Sequence, residues 1–328
     1  DIELLNDGKL IISGSQTATA TDSVSRLNTN GSIDSTFSAK FGRNEFIRRI
    51  LQLPDGKIMI AGSFRIILGV SRNNIARLNA DGSVDETFVP YFNNGSVTAI
   101  EAVAIQPDGK ILVGFFGSLV LKRLNTDGSQ DTSFTGQFSS AAFVYDIAIM
   151  PDNKILVGGL IATNQYILRL NTNGTIDSSF TPTQPNTTVN KLHLLADGKY
   201  FACGDFTQVG ASLRGRVARF NADGSLDNSF NPPGGANNGI FDCRVQTDGK
   251  IILGGYFTAL NGSVNQKFIG RLNNDGTLDT SFVQTVNGAA TNSQVKAVQI
   301  QPDGKIVIGG VFTNIGGIAR SNLARLNA

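Results

Sequence analysis

The 328-residue chain has no tryptophan, one histidine, two cysteines and two methionines, and charged residues make up only 16% of it. Each shortage removes a class of protein. A single histidine, His193, cannot furnish a three-histidine metal site or a Ser–His or Cys–His dyad in every repeat. Two cysteines, Cys203 and Cys243, cannot staple a fold of this size, and they lack the spacing of a zinc site. Lysine and arginine number 28 against 26 aspartates and glutamates. That balance argues against a chain that coats nucleic acid or membrane with positive charge. No apolar run approaches the roughly 18 residues of a membrane span. The first residue is Asp1 rather than Met, so the chain is expected to be part of a longer protein whose targeting signal lies outside it.

What the chain does have is self-similarity, which decides the architecture. A D-G-K triplet begins at Asp7, Asp55, Asp108, Asp197, Asp248 and Asp303, with D-N-K at Asp152, and the starts are 44 to 55 residues apart. An R-L-N triplet (R-F-N once) follows at Arg26, Arg77, Arg123, Arg169, Arg219, Arg271 and Arg325. Six of these lead into [ND]-G-[ST]-x-D-x-[ST]-F, ending on Phe37, Phe88, Phe134, Phe180, Phe230 and Phe282. Residues 1–328 therefore read as one domain, a single repeat array.

Each repeat reads as four short strands. In the last, KAVQIQP is strand A, Asp303-Gly304 a two-residue type I′ hairpin turn, KIVIGGVF strand B and SNLARLN strand C. In complete repeats an A-D-G-S turn leads to strand D, such as SVDETF around Asp85. No segment carries a capped 3.6-residue apolar period. The expected fold is all-β: a seven-bladed β-propeller of four-stranded antiparallel blades. A closed ring is favoured over an open solenoid, because the first and last repeats look like the middle ones and carry no capping face. The seventh strand D has no counterpart before Ala328 and is expected from residues beyond either end of the chain.

These motifs resemble the delta-60 repeat family, a β-propeller repeat of bacterial and phage proteins whose consensus looks like RLNADGSLDTSF followed by VQPDGKILVGGxF. The resemblance covers essentially the whole chain. It implies a propeller in a secreted, surface or virion-associated protein, and it implies no reaction. The departures are Asn153 in place of a turn glycine and short B–C loops in repeats three and four.

A residue type that occurs once per blade holds the blade together. The turn centred on Asp81 sets Leu78 opposite Val84 and Arg77 opposite Asp85, a cross-strand ion pair. The same register pairs Arg26 with Asp34, Arg123 with Asp131, Arg169 with Asp177, Arg219 with Asp227 and Arg271 with Asp279. These aspartates lack the ligand spacing and terminal Glu of an EF-hand, so neither calcium nor another cofactor is expected. The lysine of D-G-K is expected to be a solvated charge. The paired glycines after strand B have no following helix and no G-K-[ST], so they read as close packing between blades rather than phosphate loops.

The residues that do not repeat are few. Aligning strand A places His193 with Glu3, Leu51, Ala104, Ala148, Arg244 and Gln299. Glu3, His193, Arg244 and Gln299 thus form a polar group that is either a hydrated channel lining or a small-ligand site. Outside the repeated turns the acids are Asp22, Glu45, Glu101, Asp146, Asp205 and Asp242, and no two of them stand out as a glycosidase pair. Cys203 and Cys243 are expected as free, buried thiols that point the same way on successive blades rather than toward each other.

The A–B and C–D turns are nearly constant, whereas the lysine of D-G-K is 13 residues from the arginine of R-L-N in repeat three and 21 in repeat six. Function tends to sit on such variable loops. The most distinctive stretch is in repeat two, where Lys40, Arg43, Arg48 and Arg49 precede FRIILGVSR. There Arg65 and Arg72 flank Ile66, Ile67 and Leu68. Arg43, Arg65, Ile67, Leu68 and Arg72 are candidate contacts for a protein or glycan partner, unless the aliphatic residues tuck under the loop. The expected function is a non-enzymatic binding or structural module, extracellular, on a cell surface or on a virion. Its partner would be a protein, a glycan or a neighbouring domain, without nucleic-acid binding or membrane insertion. The alternatives are an extracellular lyase or glycosidase, or an interface-filling part of a secretion or phage tail machine.

Overall fold

The computed structural model describes residues 1–14, 23–37, 39–40, 45–92, 99–117, 121–136, 142–284, 286–287 and 292–327. Every regular element among them is a β-strand. The strands are short Val-, Ile- and Leu-rich runs bounded by Asp-Gly turns, the composition that favours a pleated, buried surface.

The chain falls into two compact units. The first comprises Asp1–Ile149, Asn153–Ile155 and Leu170–Thr175. It contains three antiparallel A-B-C sheets: Ile2–Leu4 with Leu10–Gly14 and Ser23–Leu27, Phe46–Gln52 with Ile58–Ser63 and Ile75–Leu78, and Ile100–Ile105 with Ile111–Phe115 and Leu121–Leu124. Strand Phe143–Ile149 also lies there. The second unit comprises Met150–Asp152, Leu156–Arg169 and Ile176–Ala328. Its A-B-C sheets are Val189–Leu194 with Tyr200–Gly204 and Val217–Phe220, Ile240–Val245 with Ile251–Gly255 and Ile269–Leu272, and Gln294–Ile300 with Ile306–Val311 and Leu323–Leu326. In each unit apolar side chains from one sheet pack against the next, as in the cluster joining Phe201, Cys203 and Val217 to Ile240, Cys243 and Leu253.

The A–B turn is not the two-residue hairpin expected. Gln301 N–H donates to Lys305 O at 2.8 Å and Gly304 N–H to Gln301 O at 2.9 Å, which makes a three-residue loop with Gly304 alone at positive φ, 80°. This is a type I turn closed by a left-handed residue. Asn153 fills that left-handed position at φ 64°, a conformation asparagine tolerates. The extra loop residue moves the A–B register by one: Ala297 faces Gly309, and Val298 faces Ile308. A slip of one residue turns each side chain to the opposite face of the sheet. Cys203 and Cys243 therefore project from opposite sheet faces, against the expectation drawn from the shorter turn.

Strand D is also less than expected. It is one paired residue, as in Leu78 with Val84 and Phe220 with Leu226. Just beyond that residue, Asp85 Oδ1 accepts the Thr87 N–H at 3.0 Å and the Thr87 hydroxyl at 2.6 Å. This local turn draws the chain out of the ladder. Among the described residues, only the first sheet gains a fourth strand, Ala39–Lys40.

Among the described residues, strand A carries a bulge in five repeats, between Ile47 and Arg49, Ile100 and Ala102, Val189 and Lys191, Ile240 and Asp242, and Val295 and Ala297. The second glycine after strand B lies under that bulge. A Cβ on Gly255 would stand 2.2 Å from the Gly239 carbonyl oxygen. The first glycine instead faces the next repeat: a Cβ on Gly254 would stand 2.8 Å from Val298 Cγ2.

Candidate functional site

Among the described residues, the repeated motif resolves into an ionic hub in each of the first six repeats. In repeat two, Asp85 Oδ2 accepts from Arg77 Nε at 2.6 Å and from Lys57 Nζ at 2.7 Å. Arg77 Nη1 continues to the Thr126 carbonyl at 2.7 Å, which ties this repeat to the turn of the next. Its guanidinium carbon lies 5.0 Å from the centre of the Phe88 ring, within cation–π range. Arg219 and Asp227 repeat the arrangement at 2.7 Å, with Lys199 at 2.9 Å and Asn274 O at 3.0 Å. The D-G-K lysines are therefore hub members and not solvated charges, at Lys9, Lys57, Lys110, Lys199 and Lys250. Sequence reasoning missed them because strand B places lysine beside an aspartate more than twenty residues away. At Asp34, Asp85, Asp131, Asp227 and Asp279 the carboxylate accepts from two cations and closes an Asx turn. Among the described residues, no group of three His, Cys, Asp or Glu side chains is placed to hold one.

Burial opposes the charge on Asp85, Asp131, Asp227 and Asp279, but the hydrogen bonds from lysine, Ser or Thr and arginine outweigh it and hold these carboxyls well below the usual range. At Asp34 the Lys9 contact leads, followed by Thr36. A depressed carboxyl stabilises the fold above its unfolded pKa of about 4, and that contribution is lost as pH falls below it. Burial raises Glu101 and Asp205, which have the opposite dependence but are fewer. The melting temperature is thus expected to hold between pH 7 and pH 5 and to fall steadily below about pH 4. A melting temperature unchanged down to pH 2.5, by circular dichroism, would refute the hub account.

In the second unit the strand-A row brings Arg244 to Gln299. Arg244 Nη1 bonds Asp242 Oδ1 at 2.7 Å, and its Nε lies 3.4 Å from Gln299 Oε1. His193 is half-buried on Val189–Leu194 of the same unit. Glu3 is in the first unit, where Oε1 accepts the Gln52 N–H at 3.2 Å.

The repeat-two loop departs from the expected surface. Ile66–Ile67 pairs with Val70–Ser71 across the turn Leu68-Gly69. Ile66 and Leu68 are 50% and 42% exposed, but Ile67 is fully buried and Arg72 is 8% exposed. Ile67 joins the core with Phe64 and Ile50, because alternate residues of a hairpin face opposite sides. Arg72 turns back onto the Ser71 carbonyl, and Arg214 bonds the Leu213 carbonyl in the same way in repeat five. Ile67 and Arg72 are therefore scaffold and not contact residues. Arg65 is exposed, and Arg43 lies outside the described residues.

The exposed Leu68 has φ 50°, where Gly316 and Asn261 occupy the corresponding turns of repeats seven and six. A bulky residue there is a genuine outlier. Leu68→Asn is expected to raise stability by about 1 kcal/mol in urea denaturation. An unchanged or lowered midpoint would mean that the leucine is not strained.

Alternation along strand A hid a second set of residues. The bulge takes Arg48, Glu101, Asn190, Phe241 and Lys296 out of the ladder, and a bulge re-aims the side chain it carries. Unlike the hubs, these positions differ in every repeat. In the first unit, Arg48 Nε is 3.4 Å from Glu101 Oε1 and Arg49 Nη2 is 4.0 Å from Asp146 Oδ1. Burial raises the Glu101 carboxyl, and the two arginines oppose the shift. In the second unit, Phe241 stacks on the 40% exposed Tyr256 at 5.5 Å. Asn190 donates to the half-buried Asp205, whose carboxyl is raised by burial. The signal was available in sequence, since each bulge residue stands nine places before the D-G-K lysine.

The sequence matches the family described as domain of unknown function (DUF5122) beta-propeller over residues 5–37, 53–88, 106–134, 151–180, 195–230, 246–282 and 301–328, more than half of its length. The chain belongs to the DUF5122 β-propeller family. No curated protein matches it. Among solved structures it is similar to virginiamycin B lyase from Staphylococcus aureus, at 15% identity and a TM-score of 0.64 over 94% of this chain and 89% of that one. The catalytically inactive form of that lyase with quinupristin gives the same identity and TM-score over 94% and 90%. A protein from Lactobacillus plantarum gives 11% and 0.59 over 97% and 99%. Such low identities establish the propeller fold alone. The first six DUF5122 segments each end on a hub phenylalanine, and all five bulge residues fall between matched segments.

Proposed function

We propose that this DUF5122 propeller is a non-enzymatic binding module of the delta-60 type, carried by an extracellular, cell-surface or virion-associated protein. Its rigid hubs hold variable loops that contact a protein or glycan, or a neighbouring domain of the same assembly. The observation that carries this reading is Leu68, an exposed aliphatic residue in a left-handed turn position next to exposed Ile66 and Arg65. Strain kept where glycine or asparagine would relieve it points to a contact outside the fold. The test is biolayer interferometry of the wild type and of Arg65→Glu/Leu68→Asn against glycan panels and purified envelope or virion proteins. The expected result is a binder whose affinity falls at least tenfold in a variant that melts no lower. Equal binding by both proteins would move the contact away from this loop.

A second reading, an enzyme, is favoured by Glu101, a half-buried carboxyl with a raised pKa beside Arg48. Such tuning suits a general acid or base. Quinupristin, which accompanies the similar lyase, is the first compound to try. Turnover by the wild type and its loss in Glu101→Gln would support this reading, and intact quinupristin with both proteins would count against it.

A further inference from the structure

The corrected register brings the two cysteines into a new relation. Cys203 lies on Tyr200–Gly204 opposite Lys191, and Cys243 lies on Ile240–Val245 opposite Leu253. Four residues past the D-G-K lysine, the position of Cys203 is Gly158 in repeat four and Gly254 in repeat six. The position of Cys243 is Leu192 in repeat five and Val298 in repeat seven. These are the residues that meet between successive repeats. A Cβ built on Gly158 would stand 3.1 Å from Leu192 Cγ, and one on Gly254 would stand 2.8 Å from Val298 Cγ2. Glycine is present at those two junctions because the next repeat's aliphatic side chain occupies its space.

Between repeats five and six, the glycine–aliphatic pair becomes Cys203–Cys243. The small member has grown and the large member has shrunk, so the two share the same volume and sulfur faces sulfur. Both are buried in one apolar cluster with Val217 and Ile240. Cys243 is a neighbour that pushes the ionisation of Cys203 upward, after the larger effect of burial. The Gly254–Val298 junction also sets the scale. The Val298 Cβ is one bond beyond the Cγ2 that stands 2.8 Å from the Gly254 Cβ site. One further bond bounds the Cβ–Cβ separation from above, and that bound lies within the roughly 3.5–4.5 Å that a disulfide requires.

We propose that Cys203 and Cys243 close a disulfide between the fifth and sixth repeats when the chain folds in an oxidising environment. The oxidant is a low-molecular-weight disulfide such as oxidised glutathione. One cysteine thiolate attacks it, giving a mixed disulfide and one released thiol. The other cysteine thiolate then attacks the protein sulfur of that mixed disulfide, which forms the Cys203–Cys243 bond and releases the second thiol. The two protons of the protein thiols end on the two released thiols, and the oxidant gains two electrons. Once the repeats have packed, both sulfurs are buried and the Cys203 thiolate is disfavoured, so the bond forms during folding and exchanges slowly afterwards. This inference does not depend on the identity of the partner.

The whole chain can be unfolded and refolded in mixed reduced and oxidised glutathione, and in parallel in reduced glutathione alone. Thiol titration in denaturant and intact mass then read the outcome. The oxidised sample is expected to show no free thiol, to lose two hydrogens and to melt about 5 °C higher than the reduced one. Reduced protein that is already folded is expected to react with oxidised glutathione at least tenfold more slowly than the refolding chain. The double variant Cys203→Gly/Cys243→Val restores the pair found between repeats six and seven. It should melt with the reduced wild type and show no response to the oxidant. Two thiols remaining after oxidative refolding, glutathione left on either cysteine, or covalent dimers in place of the internal bond would each overturn the proposal.

Discussion

Asp227→Ala is expected to cost about 3 kcal/mol, the scale for removing one partner of a buried ion pair. Asp227 and Arg219 are 6% and 7% exposed, and the aspartate accepts four hydrogen bonds: from Arg219 Nε, Lys199 Nζ and the Ser229 N–H and hydroxyl. Without the carboxylate, the guanidinium is held over Phe230 and against Asn274 with its Nε uncompensated. Lys199 can relax because its side chain is 35% exposed. That freedom sets the expected loss near the lower end of the range for buried pairs and not the higher. Urea denaturation followed by tryptophan-free near-UV signals or far-UV dichroism would read the loss. Binding should change only through folding. A variant that kept its stability and lost a binding activity would show that these aspartates serve a partner and not the scaffold.

An equally large loss, about 3 kcal/mol, is expected for Gly255→Ala, where overpacking meets backbone. The new Cβ would lie 2.2 Å from the Gly239 carbonyl oxygen and 3.0 Å from Ile240 Cα. Neither atom can rotate aside, so strand A would have to leave strand B at the bulge. Gly254→Ala makes the contrast. Its nearest neighbours are the methyls Val295 Cγ1 and Val298 Cγ2, both at 2.8 Å, and these can shift. A smaller loss, about 1–2 kcal/mol, is expected there. If the two variants were equally stable, the close approach of the bulge to Gly255 would be wrong.

How far the sequence could be read depended on whether a feature was local. The repeat, the turns and the Arg77–Asp85 pairing were legible because the A-D-G-S turn is short and Leu78, Val84, Arg77 and Asp85 lie within nine residues of one another. The same held for Arg219 and Asp227. The A–B register was not legible, since Asp-Gly suits both a two-residue and a three-residue hairpin, and only the bonds between Gln301, Gly304 and Lys305 distinguish them. That single residue decided the facing of Cys203 and Cys243.

The sequence by itself determined an all-β repeat chain of the propeller type and the aspartate and arginine of each hub, because these rest on spacing along the chain. Tertiary structure alone decided the rest. It brought Lys57 onto Asp85, buried Ile67 and Arg72, and set Glu101 beside Arg48. The reason is physical: a β-ladder passes its period of two along a strand only while the ladder is unbroken. Each bulge or added turn residue resets which face a side chain takes, and contacts between repeats depend on that face.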